Sequence, residues 1–365
     1  MNPGALDPQS LSAAAQRAVA AGPSKMMAAR GLMPLAPADQ LVVLFQLSLD
    51  ANAAIAQAAK NTAGGLPEKL LVGTLADPNM DPRVIDFFAS QFLDKPAITQ
   101  VVILNPAAAD ETIASIAGRG TAQQVDLIAN NEQRVLRYPE IIAAMYLNRK
   151  ARMSTIDRIV ELAVRNNVRV PGLAAWDEIA RALQANGKST ATDEQILEHV
   201  GTKDDTAFTT GDAEEVLEEG DLGPEPDDES NKRFDEMSIP AKIRFATLGD
   251  ATDRAVAIRC AIRSVAIAAV KAPAVTEIEA VRWAGNQSLV EDVIRYIAGK
   301  RDWTKRYGVK VSLCRNPKAP LSEIMRFMPF LREKDLKNLA RSRGVPSAVV
   351  SSARKLLMQR SGKKE

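Results

Sequence analysis

Apolar and polar positions follow one another along this chain with helical rather than strand spacing, and one apolar triplet recurs at a fixed offset from an Asn or Asp. With that residue counted as zero, large or small aliphatic side chains fall at +8, +11 and +12, the i, i+3, i+4 stripe of one helical face. Asn316 leads to Ile324, Phe327 and Met328, Asp77 to Ile85, Phe88 and Ala89, and Asn105 to Ile113, Ile116 and Ala117. Asn148 leads to Ile156, Ile159 and Val160, Asn286 to Ile294, Ile297 and Ala298, and Asn130 heads a looser case with Tyr138, Ile141 and Ile142. Asp77, Asn105 and Asn316 are followed directly by proline, which has no amide hydrogen with which to continue a helix. Each is read as a corner where one helix stops, the Asn taking the left-handed conformation it tolerates, and the next helix begins. Pro82 and Pro320 suit the first turn of the new helix, with Asp81 and Asp110 as caps.

The corners recur at spacings of 28, 25 and 18 residues in the first half and 30 in the second, the length of one helix pair or a truncated one. A shift of 211 residues overlays the halves without a gap: Asn105-Pro106 falls on Asn316-Pro317, Ile113 on Ile324, Val125 on Leu336, and Ile128-Ala129 on Leu339-Ala340. The expected fold class is all-α, with two helical-repeat halves of the α-solenoid kind.

Asn-Pro followed by a short helix and an Ile/Leu stripe every 25 to 30 residues resembles the leucine-rich repeat variant and HEAT-like class of α-solenoids, over roughly residues 66–170 and 272–358. The segments EIIAAMYLNRKARMSTIDRIVELAVRN and DLKNLARSRGVP also resemble a group of bacterial repeat proteins to which no activity attaches. The resemblance implies stacked helix pairs and a binding surface. Leucine-rich repeat variant proteins also carry a cysteine cluster for an iron–sulfur centre; nothing here matches it, so no cofactor is expected.

Charge divides the chain further. Residues 1–185 hold 17 Lys/Arg and 17 Asp/Glu, residues 186–236 hold 4 and 17, and residues 237–365 hold 26 and 11. An acidic strip thus separates a neutral half from a basic one. Five segments are expected: a mobile amino-terminal arm over 1–33 with a short helix at Leu11–Ala21, a helical-repeat domain over 34–185, an acidic disordered linker over 186–236, a basic helical-repeat domain over 237–360 that opens at a capping Ser238-Ile239-Pro240, and a frayed tail over 361–365. Within the linker, TDEQILEHV and DAEEVLEE are candidates for short amphipathic helices on a partner or on the basic half.

Chemistry is sparse. The only histidine, His199, lies in the acidic strip, which excludes Ser-His-Asp and Cys-His hydrolases and most zinc sites. Gly187-Lys188-Ser189 imitates the end of a phosphate loop, but Ala182 stands where its first glycine belongs. The carboxylate pairs Asp77 with Asp81 and Glu277 with Glu279 read as helix caps, and Cys260, Cys314, Met325 and Met328 as core. No catalytic residue, metal ligand or cofactor site is assigned, so the chain is not expected to be an enzyme, and a small-molecule substrate is not expected. Two unclustered cysteines and the lack of a secretory leader or an unbroken apolar span point to a cytoplasmic protein with no membrane partner.

The strongest signal outside the core is RYIAGKRDWTKRYGVK, where Lys300, Arg301, Lys305, Arg306 and Lys310 interleave with Trp303 and Tyr307. These seven are the candidate partner-binding residues. The expected partner is a protein, with an acidic segment as the natural complement; nucleic acid, its phosphates on the cations and its bases on the rings, is the alternative. A helical-repeat DNA glycosylase would be the enzymatic form of that alternative, but no catalytic acid for it can be named. The working expectation is a scaffold or adaptor, with the acidic linker regulating the basic half.

Overall fold

The computed structural model of the chain describes residues 4–20, 22–186, 189–198, 200–201, 206–209 and 228–361, and among these there are helices and no strand. The chain divides into two compact units, Met1–Pro171 and Gly172–Glu365. The first contains α1 (Ala13–Val19), α2 (Pro23–Ala29), α3 (Pro37–Ser48), α4 (Ala53–Gly64), α5 (Glu68–Leu75), α6 (Pro82–Gln91), α7 (Pro96–Leu104), α8 (Asp110–Arg119), α9 (Ala122–Ala129), α10 (Glu132–Arg137), α11 (Glu140–Leu147) and α12 (Met153–Arg165). The described helices of the second are α13 (Trp176–Asn186), α14 (Ala191–Leu197), α15 (Thr206–Thr209), α16 (Asp228–Asp235), α17 (Ile239–Leu248), α18 (Ala251–Ala257), α19 (Arg263–Val270), α20 (Glu277–Gly285), α21 (Glu291–Gly299), α22 (Arg301–Thr304), α23 (Tyr307–Arg315), α24 (Leu321–Phe327), α25 (Glu333–Arg341) and α26 (Ser347–Ser361).

Within each unit, helices one apart in order lie side by side: α5 on α7 and α7 on α9, α6 on α8, α17 on α19 and α19 on α21. The apolar triplets explain why. Every residue at +8, +11 and +12 of the five corners is no more than 4% exposed, and full burial of one such aliphatic or aromatic side chain contributes about 1.5–3 kcal/mol. The apolar helix positions paired by the 211-residue shift are also buried, as are Asn105 and Asn316, whereas Pro106 and Pro317 are exposed.

The corners close by a specific set of bonds. At each, the side-chain oxygen of residue zero accepts the amide two residues on: Asn79 to Asp77 at 2.9 Å, Ala107 to Asn105 at 2.8 Å, Lys150 to Asn148 at 2.9 Å, Ser288 to Asn286 at 2.9 Å and Lys318 to Asn316 at 3.0 Å. At three of the corners the amide end of the same side chain reaches back to carbonyls 28 to 32 residues earlier. Asn105 Nδ2 donates to Leu75 O (2.7 Å) and Asp77 O (3.0 Å), Asn148 Nδ2 to Ala117 O (2.8 Å) and Gly120 O (2.9 Å), and Asn316 Nδ2 to Ala284 O (2.9 Å) and Asn286 O (3.2 Å). Residues 77 and 286 are themselves corner positions, so two of these asparagines bind the corner before their own. Glutamine or aspartate would fail here, one through length and the other through lack of a donor.

The expected left-handed asparagines are not found. Asn105, Asn148, Asn286 and Asn316 are extended, with φ between −74° and −90° and ψ between 112° and 122°, and Asn167 is the only described non-glycine residue with positive φ. A residue ahead of proline is pushed out of the helical region into the extended one. The turn made by the side-chain oxygen holds the same conformation at Asn148 and Asn286, where no proline follows. Asn130 keeps helical angles, and Asn131 instead caps α10 through Arg134 N (3.1 Å). Asp81 caps α6 through Arg83 N as expected, whereas Asp110 lies inside α8 and pairs with Arg137 at 2.7 Å and Arg134 at 3.3 Å.

Three segment boundaries differ from the sequence reading. In the arm expected over 1–33, α1 packs on α3 and α2 on α4, burying Leu6, Leu11, Ala15, Ala18, Ala28 and Ala29. Small alanines let those helices approach closely, and the prolines and glycines that suggested mobility stand at helix starts and turns. The first unit ends at Pro171 rather than at 185: Gly172 has φ of 83°, and α13 beyond it packs on α17 and α19. Within 186–236, α14, α15 and α16 are described and pack on α17, α18 and α20. Asp193 is fully buried, accepting Ser238 N at 2.9 Å, and Leu197, Val200 and Phe234 are buried. Residues 202–205 and 210–227, with the candidate helix DAEEVLEE, lie outside the described residues, as do His199 and 362–365.

Candidate functional site

The seven candidate residues sit on α22, on α23 and in the bends before each of them. Trp303 faces inward at 5% exposure, edge-on to Tyr296 with ring centroids 6.1 Å apart, because α22 is a single turn that folds this ring under the end of α21. Lys300 Nζ covers the Trp303 ring at 3.9 Å. Tyr307 is half-buried: its hydroxyl donates to Asp335 Oδ2 at 2.5 Å and accepts Arg332 N at 2.8 Å, and the Arg332 guanidinium lies over its ring at 4.5 Å. Burial, and then the bond to Asp335, push the Tyr307 phenol up to about 12.

Four of the five cations have contacts of their own, Lys300 through the Trp303 ring. Lys305 pairs with Asp302 at 2.9 Å, Arg306 with Glu277 at 2.7 Å, and Lys310 Nζ donates to Lys305 O at 3.3 Å and lies over the exposed Phe330 ring at 5.3 Å. Arg301 is exposed. The structure therefore gathers all seven residues on one edge, but it spends both rings on packing and cation contacts. Trp303 is buried and Arg332 covers one face of Tyr307, which leaves little ring surface on which a base could stack.

Beside that edge stands a cluster the sequence did not reveal. Glu178 of α13, buried, pairs with Lys271 of α19 at 3.1 Å and with Arg181 at 3.2 Å, and Lys271 Nζ stands 5.8 Å from the centre of the Tyr296 ring. Burial first, and the nearby Glu178 carboxylate next, raise the Tyr296 phenol. No local spacing foretells this meeting, since residues 178 and 271 are joined only by the packing of α13 on α19.

Reactive chemistry does not converge here or elsewhere among the described residues. No group of three or more His, Cys, Asp or Glu side chains is placed to hold a metal. Burial pushes the Cys314 thiol up to about 12, far from a nucleophile's range, while Cys260 is half-exposed. Glu279, expected as a cap, does receive Thr276 N at 2.8 Å, but it also forms a buried two-point pair with Arg254, at 2.9 and 3.0 Å. In the first unit an open cleft of about 480 Å³ lies between the start of α3 and the end of α5, lined in part by Pro37, Lys69, Leu70, Gly73 and Asp77. No helix among the described residues is long and apolar enough to cross a membrane. Compared with known proteins, the chain matches no family model, no curated protein and no solved structure.

Proposed function

We propose that this protein is a non-enzymatic scaffold of the α-solenoid kind, each unit an array of stacked helix pairs that binds a protein partner along its exposed helix faces. The observation that carries the reading is the corner. Its asparagine bonds join successive helix pairs by the same contacts at Asn105, Asn148 and Asn316, which is how a stacked array gains length without a central pocket. The candidate edge from Lys300 to Lys310 then serves as a basic contact surface for an acidic protein segment. Its rings are already packed, which favours a protein over stacked bases. The acidic stretch 186–236 regulates the second unit, whose helices α17, α18 and α20 already carry its described parts.

The test is purification of the intact chain from its native extract at low salt, in parallel with and without nuclease, followed by reconstitution with the purified companion. Saturable binding that weakens when Arg301, Lys305 and Arg306 are replaced together supports the scaffold. Recovery of nucleic acid alone, or of a companion that dissociates once nuclease is added, overturns it.

A further inference from the structure

The last helix pair carries a charge pattern of its own. Residues 332–361 hold eight Lys/Arg and two Asp/Glu, and both acids are already engaged: Glu333 with Lys337 at 2.8 Å, and Asp335 with Arg315 at 2.9 Å and with the Tyr307 hydroxyl. The fifteen-residue α26 contains no acid at all. Anions have nothing to repel them along its length.

Packing fixes which side of α26 faces out. Val349 and Ala353 are buried, against a partner helix that contributes Leu336, Leu339 and Ala340. Arg354 Nε donates to Ala340 O at 3.2 Å, and Arg360 donates to Leu331 O at 2.8 Å and Pro329 O at 2.6 Å, so α26 is tied down at its middle and its carboxyl-terminal end. Ala348, Ser351, Lys355 and Met358 are exposed on the opposite face. The connection from α25 is five residues, 342–346, with Gly344 at its centre, where an added Cβ would meet nothing, and Arg341 and Arg343 are exposed beside it.

The end of α26 bonds residues just before the start of α25, so the two helices form an antiparallel hairpin that leaves the acid-free face of α26 open to an anionic partner, and a single helix is an element that can enter the major groove of duplex DNA. A helix about 10–12 Å across fits a major groove about 12 Å wide. The small side chains at 348 and 351 let the backbone approach the groove floor. We propose that α25 and α26 form a duplex DNA-binding element, with α26 in the major groove and Arg341, Arg343 and Lys355 on the flanking phosphates. This goes beyond the scaffold reading and stands or falls separately from it.

The experiment is an anisotropy titration of the full chain against labelled duplex DNA, the matching single strand, and polyglutamate, each over a series of salt concentrations. The expected result is duplex binding at least about tenfold tighter than to the single strand. Replacing Arg341, Arg343 and Lys355 together by glutamine should reduce the slope of log affinity against log salt by about 2–3, since each phosphate contact contributes about 0.9. Ser351→Glu, on the exposed face and clear of the buried residues, should abolish duplex binding while leaving the unfolding midpoint unchanged. Absence of duplex binding at low salt, equal binding of the single strand, an unchanged slope in the triple variant, or preferential binding of polyglutamate would each overturn the proposal, the last in favour of an acidic protein segment.

Discussion

The two units build corners alike but place their charges differently. In the first, described ion pairs such as Asp126 with Arg152 (2.5 Å) and Asp110 with Arg137 (2.7 Å) keep a half-exposed or exposed arginine in water. A deeply placed member, Arg134, is held by backbone carbonyls of the Asn105 corner, including Pro106 O at 3.2 Å and Ala108 O at 3.1 Å. In the second, Arg254 and Glu279 are 2% and 3% exposed, and further bonds of that pair run to Gly249 O and to Thr276. A shared plan of apolar stripes thus tolerates two electrostatic solutions. The surface solution is forgiving, and the buried one is demanding, because a charge left behind in the core has no water to turn to.

The sharpest way to break the comparison is Glu279→Ala, which strands Arg254 and should cost about 3–5 kcal/mol in a urea unfolding titration. Replacing both partners, Arg254→Met with Glu279→Leu, should restore most of that loss; an equally unstable double variant would show that the pair itself, not the stranded charge, holds the unit. Next come the corners. Asn105→Ala and Asn316→Ala each remove three hydrogen bonds at a buried site and should each cost about 2–3 kcal/mol, and unequal losses would show that the corners are not equivalent.

A smaller effect is expected at alkaline pH. Tyr307 ionises at about 12 in the folded chain, above the ordinary phenol value of 10. Its raised value means that the neutral hydroxyl is the form the fold favours, so its contribution is complete below pH 10 and is lost as pH rises from 10 to 12. Tyr307→Phe should flatten the stability curve across that window, and tyrosinate absorbance should lose one late-titrating group of the four tyrosines. Smallest of all, Asp126→Asn, at the surface of the first unit, should change stability by less than about 1 kcal/mol.

How much of this was legible in the sequence depends on how far each signal had to reach. The +8, +11, +12 stripes were readable because a helical face is a local property, and all fifteen positions are buried. The conformation of the corner asparagines was misread, since a following proline or the bond from the side-chain oxygen to the amide two residues on holds them extended, while Nδ2 of Asn105, Asn148 and Asn316 answers to carbonyls about thirty residues earlier. Trp303 and Tyr307 stood as candidate partner contacts in a basic run, a local pattern equally open to rings that pack inside the connection; one turn of helix at α22 buries Trp303, and Asp335 holds the half-buried Tyr307. The end of the first unit was placed too late because α13 continues the helical pattern without interruption; only its packing on α17 and α19 assigns it to the second unit. The arm over 1–33 was misjudged for the converse reason, alanine being as able to pack a helix as to leave one loose.

The asparagine bonds span sequence separations of 28 to 32 residues, no more and no less. A contact of that range closes as soon as one further helix pair has emerged from the ribosome, so each corner can set during synthesis without waiting for the carboxyl terminus. The same property makes the corner a natural joint for duplication: a segment copied between two asparagines carries its own donor and finds its acceptors in the copy before it, so the gene can lengthen by whole segments without rewriting a single interface.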